Sequence, residues 1–112
     1  MSEHRLNAYH IMWLFCFFDL PVTTKKDRKM AAKFRKDILQ NGFTMMQFSV
    51  YIRHCASYEA MQVHKKRVKN IVPTSGNVSL LAVTDKQFSE IENFYGIEKK
   101  QLTIVPTQLE LF

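Results

Sequence analysis

The chain has 112 residues, with 16 Lys and Arg against 10 Asp and Glu, a net charge of +6 and a pI near 9.5. That length predicts a single domain spanning 1–112, and 46% hydrophobic residues suffice for a core. No stretch approaches the ~18 apolar residues of a membrane span, and the flank carrying Glu3, His4 and Arg5 lacks a signal-peptide pattern, so a cytoplasmic chain with no membrane contact is expected.

Residues 1–8 read as a flexible N-terminus. The run Met12-Trp13-Leu14-Phe15-Cys16-Phe17-Phe18 then predicts a strand buried on both faces, closed by the carboxylate of Asp19. An unpaired buried carboxylate costs several kcal/mol or takes up a proton, so Asp19 belongs at the strand's end, where a cleft, a metal or a helix N-terminus can accept it. Thr24 opens a helix, with Asp27 three residues on as a short capping box, and Met30, Phe34 and Ile38 repeat on one face beside Ala31. Lys25, Lys29, Lys33 and Lys36 fall on the opposite side, and Asn41-Gly42 ends the helix in a left-handed turn.

Residues 43–55 have strand composition but are long for one strand, which predicts a reversal near Ser49. Ser57 caps a second helix over residues 58 to about 71, with Ala60, His64, Val68 and Ile71 inward, and Pro73 to Gly76 breaks it. Residues 78–84 predict another buried strand, and residues 85–95 a short helix or turn bearing Phe88 and Ile91, ended by Gly96. Leu102 to Val105 read as a last strand and Gln108 to Phe112 as an apolar tail. Two helices on one face of an antiparallel sheet, the split βαβ arrangement, accommodate this order. The tail, with Leu109, Leu111 and Phe112 around Glu110, suits edge pairing with a second copy. Cys16 in a core strand and Cys55 at the end of another predict reduced thiols, and zinc spacings are absent.

Two features carry chemistry. Asp19 either caps the following helix or pairs with a lysine, or it is a metal ligand. Magnesium keeps several waters and needs only one or two carboxylates plus phosphate oxygens, a need that two Asp19 side chains across a two-fold axis would meet. A metal so held could activate water against a phosphodiester. The first helix carries Lys25, Lys26, Arg28, Lys29, Lys33, Arg35 and Lys36 against Asp27 and Asp37, and Lys65, Lys66, Arg67 and Lys69 lie in the second. A charge run is often only a solvated face. Like charges four apart repel, however, and bound phosphates would relieve that cost. His64 reads as a packed core residue and His54 as surface or site; no serine or cysteine has a nucleophile setting, and phosphate-binding glycine patterns are missing.

Phe18-Asp19-Leu20-Pro21, Lys25-Lys26-Asp27-Arg28-Lys29 and the string from Gly42 through Gln47-Phe48-Ser49-Val50-Tyr51 resemble the small CRISPR-associated protein that partners the spacer-acquisition integrase. Arg53-His54-Cys55 and Thr84-Asp85-Lys86-Gln87-Phe88 are similar to members from systems with a single large effector nuclease. The resemblance runs from about Tyr9 to Phe88 and extends into the C-terminal residues. It implies a ferredoxin-like βαββαβ sandwich of the α+β class and an additional C-terminal strand, about residues 101–112, that packs on the partner subunit of a homodimer. It further implies magnesium- or manganese-dependent endonuclease activity on single-stranded RNA or double-stranded DNA. Asp19 takes the metal and catalytic position, while Lys26 and Arg28 stand at the family's cationic helix start. Phe18, Ser49, Tyr51 and Arg53 support the site; Met45 stands where many members carry a basic residue. In some members the dimer bridges two integrase dimers without hydrolysis. A toxin-type endoribonuclease acting alone is the alternative, because related toxin nucleases share this fold and aspartate. A sheet-face reader of single-stranded RNA is a third reading, but Phe48 and Tyr51 alone do not supply its aromatic signature.

Overall fold

Caps and apolar periodicity divide the chain into seven elements in the structure, a computed structural model that describes residues 10–96. They are β1 (Met12–Asp19), α1 (Lys25–Gln40), β2 (Thr44–Gln47), β3 (Val50–Cys55), α2 (Tyr58–Lys69), β4 (Asn77–Thr84) and α3 (Asp85–Ser89). The strands form one sheet in the order β2-β3-β1-β4, every neighbouring pair antiparallel. Helix α1 joins β1 to β2 with β3 between them, the split βαβ arrangement, so the described residues form an α+β sandwich consistent with the ferredoxin-like expectation.

Local chemistry explains the boundaries. Thr24 caps α1: its side chain accepts from the Asp27 N–H at 3.0 Å, and the Asp27 carboxylate accepts from the Thr24 N–H at 3.2 Å. Gly42, at φ 87°, supplies the left-handed turn that releases the chain from α1 into β2. Ser57 caps α2 by accepting from the Ala60 N–H at 3.1 Å. The expected reversal is the Phe48-Ser49 turn between β2 and β3, with Ser49 at φ 65°.

Residues of β1 alternate between two environments. Met12, Leu14, Cys16 and Phe18 pack against Phe34 and Ile38 of α1 and Met61 and Val68 of α2, with Tyr51 and Cys55 of β3 beside them. Trp13, Phe15 and Phe17 point to the helix-free face. There Phe88 of α3 stacks on Trp13 at 3.9 Å between centroids, the Trp13 indole N–H donates to the Asp85 carboxylate at 2.7 Å, and Phe15 is buried between Phe17 and Phe88.

The structure departs from the sequence expectations at four elements. Among the described residues, β1 is not closed on both faces, because α3 covers only the Trp13 end and leaves Phe17 37% and Leu81 51% exposed. Among the described residues, β4 is a half-buried edge strand rather than a buried one. α2 ends at Lys69 and buries Met61, a core position that the inward spacing of Ala60, His64 and Val68 does not include. α3 stops at Ser89, where the Glu90 N–H turns back to Gln87. The expected strand at 102–105, the tail at 108–112 and the flexible N-terminus at 1–8 lie outside the described residues.

Cys16 and Cys55 are free and buried, and burial pushes the Cys16 thiol up to about 12. Their strand partners are Tyr51 and Met12 respectively, so each points into the core without facing the other. Phe34 is 1% exposed and touches Phe18 edge-on at 5.1 Å. Phe34→Ala should therefore lose about 3–5 kcal/mol in urea-unfolding experiments, whereas Thr24→Ala, which removes only the cap, should lose about 1 kcal/mol.

Candidate nucleic-acid interface and carboxylate site

Asp19 closes β1. On one side it is paired with Asn77 of β4; on the other, the Phe18 N–H donates to the Ser49 carbonyl at 3.1 Å and ties the β2–β3 turn to the residue before it. Strand alternation puts Asp19 on the helix-free face, in line with Phe17. The side chain is exposed, and among the described residues it has neither a hydrogen-bond partner nor an ion pair. The two bland readings of this residue fail here: Thr24 and Asp27 cap α1, and the one ion pair among the described residues joins Lys33 to Asp37 at 2.7 Å.

A glycine shapes the ground under Asp19. Gly76 has φ 93°, and a Cβ there would lie 2.8 Å from the Asp19 carbonyl oxygen, 2.9 Å from Leu20 and 3.0 Å from Pro21. Close approach and left-handed backbone together exclude a side chain. The β4 end thus supports the turn that leads from the carboxylate to α1.

The donors present in one chain fit a loosely held hard cation only in part. No cluster of three His, Cys, Asp or Glu side chains exists among the described residues, so a closed protein cage is ruled out there. A lone exposed carboxylate can serve magnesium or manganese when water and phosphate oxygens complete the shell, and it does so better beside a second carboxylate. Asp19 would be the ligand contributed by each chain.

Helix α1 begins after residues 20–24. Arg28 folds back to donate from Nη1 to the carbonyls of Val22 and Thr23, both at 3.1 Å, and so braces this loop. Lys26, Lys29, Lys33 and Lys36 line a shallow depression on the outer face with Met30 and Ala32. Lys25, Lys26, Lys29 and Lys36 are exposed and have no acidic partner among the described residues.

The other expected site residues separate into two groups. Phe18 and Tyr51 are buried behind Asp19 with their rings 5.4 Å apart, and they stiffen the strand end rather than reach a ligand. Ser49 supplies its carbonyl to Phe18. Arg53 lies farther along β3, where Nε donates to the Asn41 carbonyl at 2.9 Å and Nη1 to the His54 carbonyl at 2.8 Å. Its guanidinium sits against Gly42, 2.9 Å from where a Cβ would be. The last turn of α1 has no cation of its own, so Arg53 provides the positive charge that its carbonyl end favours.

The sequence shows Gly76 only as part of a helix break, not its close approach to Asp19, and does not show the structural task of Arg53. A glycine after a proline break announces only a turn, and a basic residue in a strand does not declare which backbone it will meet. His64 is half-buried rather than the packed core residue expected; its Nδ1 is buried without a partner, and burial, then Arg53 and Arg67, lower its pKa from 6.5.

Residues 12–91 match the family described as CRISPR associated protein Cas2. The chain belongs to the Cas2 family. A protein of Flavobacterium psychrophilum named CRISPR-associated endoribonuclease Cas2 is 49% identical over 113 residues, covering 99% of this chain and 98% of the relative. Proteins of the same name from Parvibaculum lavamentivorans and Paracidovorax avenae are 52% identical over 101 residues and 39% identical over 107 residues. These matches cover 90% of this chain and 100% of the first, and 96% of this chain and 99% of the second. Among the described residues, no helix is long and apolar enough to cross a membrane.

Two outcomes are expected. Gly76→Val should lose more than about 1 kcal/mol of stability and shift the backbone amide resonances of Asp19 and Leu20, because left-handed strain and a clash act together. His64 favours its neutral form in the folded state, so its contribution to stability is full above about pH 6.5 and falls away as the pH drops through its lowered pKa. Urea midpoints measured from about pH 7 to about pH 5 should fall less steeply in His64→Gln than in the parent chain.

Proposed function

We propose that the chain acts in the cytoplasm as a Cas2 homodimer in CRISPR adaptation, holding double-stranded DNA and bridging integrase dimers while foreign DNA is captured. The observation that carries this reading is the exposed, unpaired Asp19 at the open end of an apolar sheet face, with the α1 cations close by in sequence. Trp13, Phe15 and Phe17 make the helix-free face too apolar to remain wet, and α3 covers only part of it. A second copy laid on that face would bury Phe17 and Leu81 and bring two Asp19 carboxylates toward a common axis. The expected C-terminal strand from about residue 101 would then complete the partner's sheet.

Within such a dimer the cations of α1 would hold phosphates. Removing one cation that neutralises a phosphate should reduce the salt dependence of duplex binding by about 0.9 in log–log slope. Lys26→Glu combined with Lys29→Glu should therefore weaken binding to a blunt duplex and flatten its slope by about 1.8. An unchanged slope would remove α1 from the interface.

A second reading, metal-dependent cleavage of RNA or DNA phosphodiesters, is favoured by the same unpaired carboxylate. Magnesium or manganese at the Asp19 pair would supply an activated water, and Phe18, Ser49 and Tyr51 would hold the carboxylates in place. A toxin-type endoribonuclease working without an integrase would use the same atoms. Asp19→Ala separates these roles. If it abolishes cleavage and leaves spacer acquisition and duplex binding intact, the dimer is a scaffold in the pathway. Loss of acquisition with binding retained would make the carboxylate essential to it.

A further inference from the structure

The turn beside Asp19 carries an unexplained aromatic. Phe48 is 84% exposed, and no other ring lies against it among the described residues. A solitary exposed apolar residue needs no explanation, but this one is held in place. β1 and β3 run in a register that ends at Phe17 opposite Val50, and the Phe18 N–H to Ser49 carbonyl bond carries the ladder one step further. Phe48 is the first residue of the two-residue turn between Gln47 and Val50, where the chain reverses, so this bond holds the turn against the strand end that carries Asp19. Ser49 adopts φ 65°, a left-handed conformation that a non-glycine residue takes at an energetic cost, and the bond to Phe18 locks it there. A bulge between Met45 and Gln47 further fixes how the turn leaves β2. The aromatic is therefore presented on a turn whose backbone is held to the strand end that carries Asp19.

We infer that Phe48 stacks on an unpaired base of a nucleic-acid strand whose phosphates lie on the α1 cations; this rests on the proposed nucleic-acid function. A planar apolar ring with a free face, on a turn tied to the strand end that carries Asp19, in a chain whose α1 presents unpaired cations, matches the chemistry of single-strand binding. Phosphate contacts supply affinity without regard to sequence, and an aromatic platform accepts any base. In a blunt duplex every base is already stacked and Phe48 has nothing to receive. A strand with unpaired bases, such as a frayed or single-stranded end, offers a base to it. Because the backbone of the turn is held before binding, little backbone freedom is lost when the base arrives. The site thus selects strands with unpaired bases close to Asp19.

The test uses the full-length protein with two probes, a single-stranded oligonucleotide carrying 2-aminopurine and a blunt duplex of the same length. Phe48→Ala and Phe48→Leu should each weaken single-strand binding about 5- to 150-fold, while Phe48→Trp keeps it, and 2-aminopurine quenching should disappear in the first two. Duplex binding and its salt slope should stay as in the parent. Retained single-strand affinity in Phe48→Leu would overturn the assignment, since leucine preserves bulk but not a stacking face. Equal loss on both probes, with a shift in sedimentation coefficient, would make Phe48 a contact between copies of the chain and would also overturn it. Lys26→Glu with Lys29→Glu tests the underlying function separately: if that variant binds both probes normally, nucleic-acid binding through α1 fails whatever Phe48 does.

Discussion

The double ladder of β1 is the constraint from which the other features follow. Bonded to β3 on one side and β4 on the other, the strand has no freedom to slide. A slip of one residue would turn Leu14, Cys16 and Phe18 away from the helices and drive Asp19 into the core, so the register is enforced by burial on one side and by charge on the other. The same register fixes what flanks Asp19. Asn77 and the close-packed Gly76 lie on the β4 side, and the Phe48-Ser49 turn lies on the β3 side.

Sheet pleating then produces two faces with different fates. The helix side is complete: α1 and α2 fill it, and the buried members of the cluster are in mutual contact. Among the described residues, the opposite side is only partly covered. The indole bond from Trp13 to Asp85 and the stacking of Phe88 anchor α3 over one end, while Phe17, at the Asp19 end, remains open to water. An apolar surface adjoining an unpaired carboxylate suits a second copy of the same chain, because a two-fold axis would bury the one and pair the other. Burial would drive such an association, and a cation between the carboxylates would relieve their repulsion.

Much of this is legible in the residues. Thr24, Asp27, Asn41, Gly42 and Ser57 mark both main helices, since caps act through neighbours in sequence. The spacing of Phe34 and Ile38 marks the buried face of α1 for the same reason. Asp19 stands out because a charge ending an apolar run has few places to go. What the residues hide are effects of long range. Every position from Met12 to Phe18 is apolar, so no alternation tells which half of β1 lacks a cover. Val78, Leu80 and Ala82 resemble a central strand, yet β4 is an edge because nothing among the described residues pairs beyond it. Arg53 has a structural partner that the sequence does not show, because the Asn41 carbonyl at the end of α1 lies 12 positions away and is met only through the fold. Met61 likewise joins the core only through the way α2 packs on β1.

Two chains sharing the open sheet face would bring their Asp19 positions together. The most direct measurement places a nitroxide label at position 19 through an Asp19→Cys substitution, the native thiols being buried, and reads the inter-label distance in solution by pulsed electron resonance. Pairing through the helix-free face predicts a single short distance that disappears when Phe17 is replaced by lysine. A monomeric sample without dipolar coupling, or a long distance indifferent to Phe17→Lys, would contradict it.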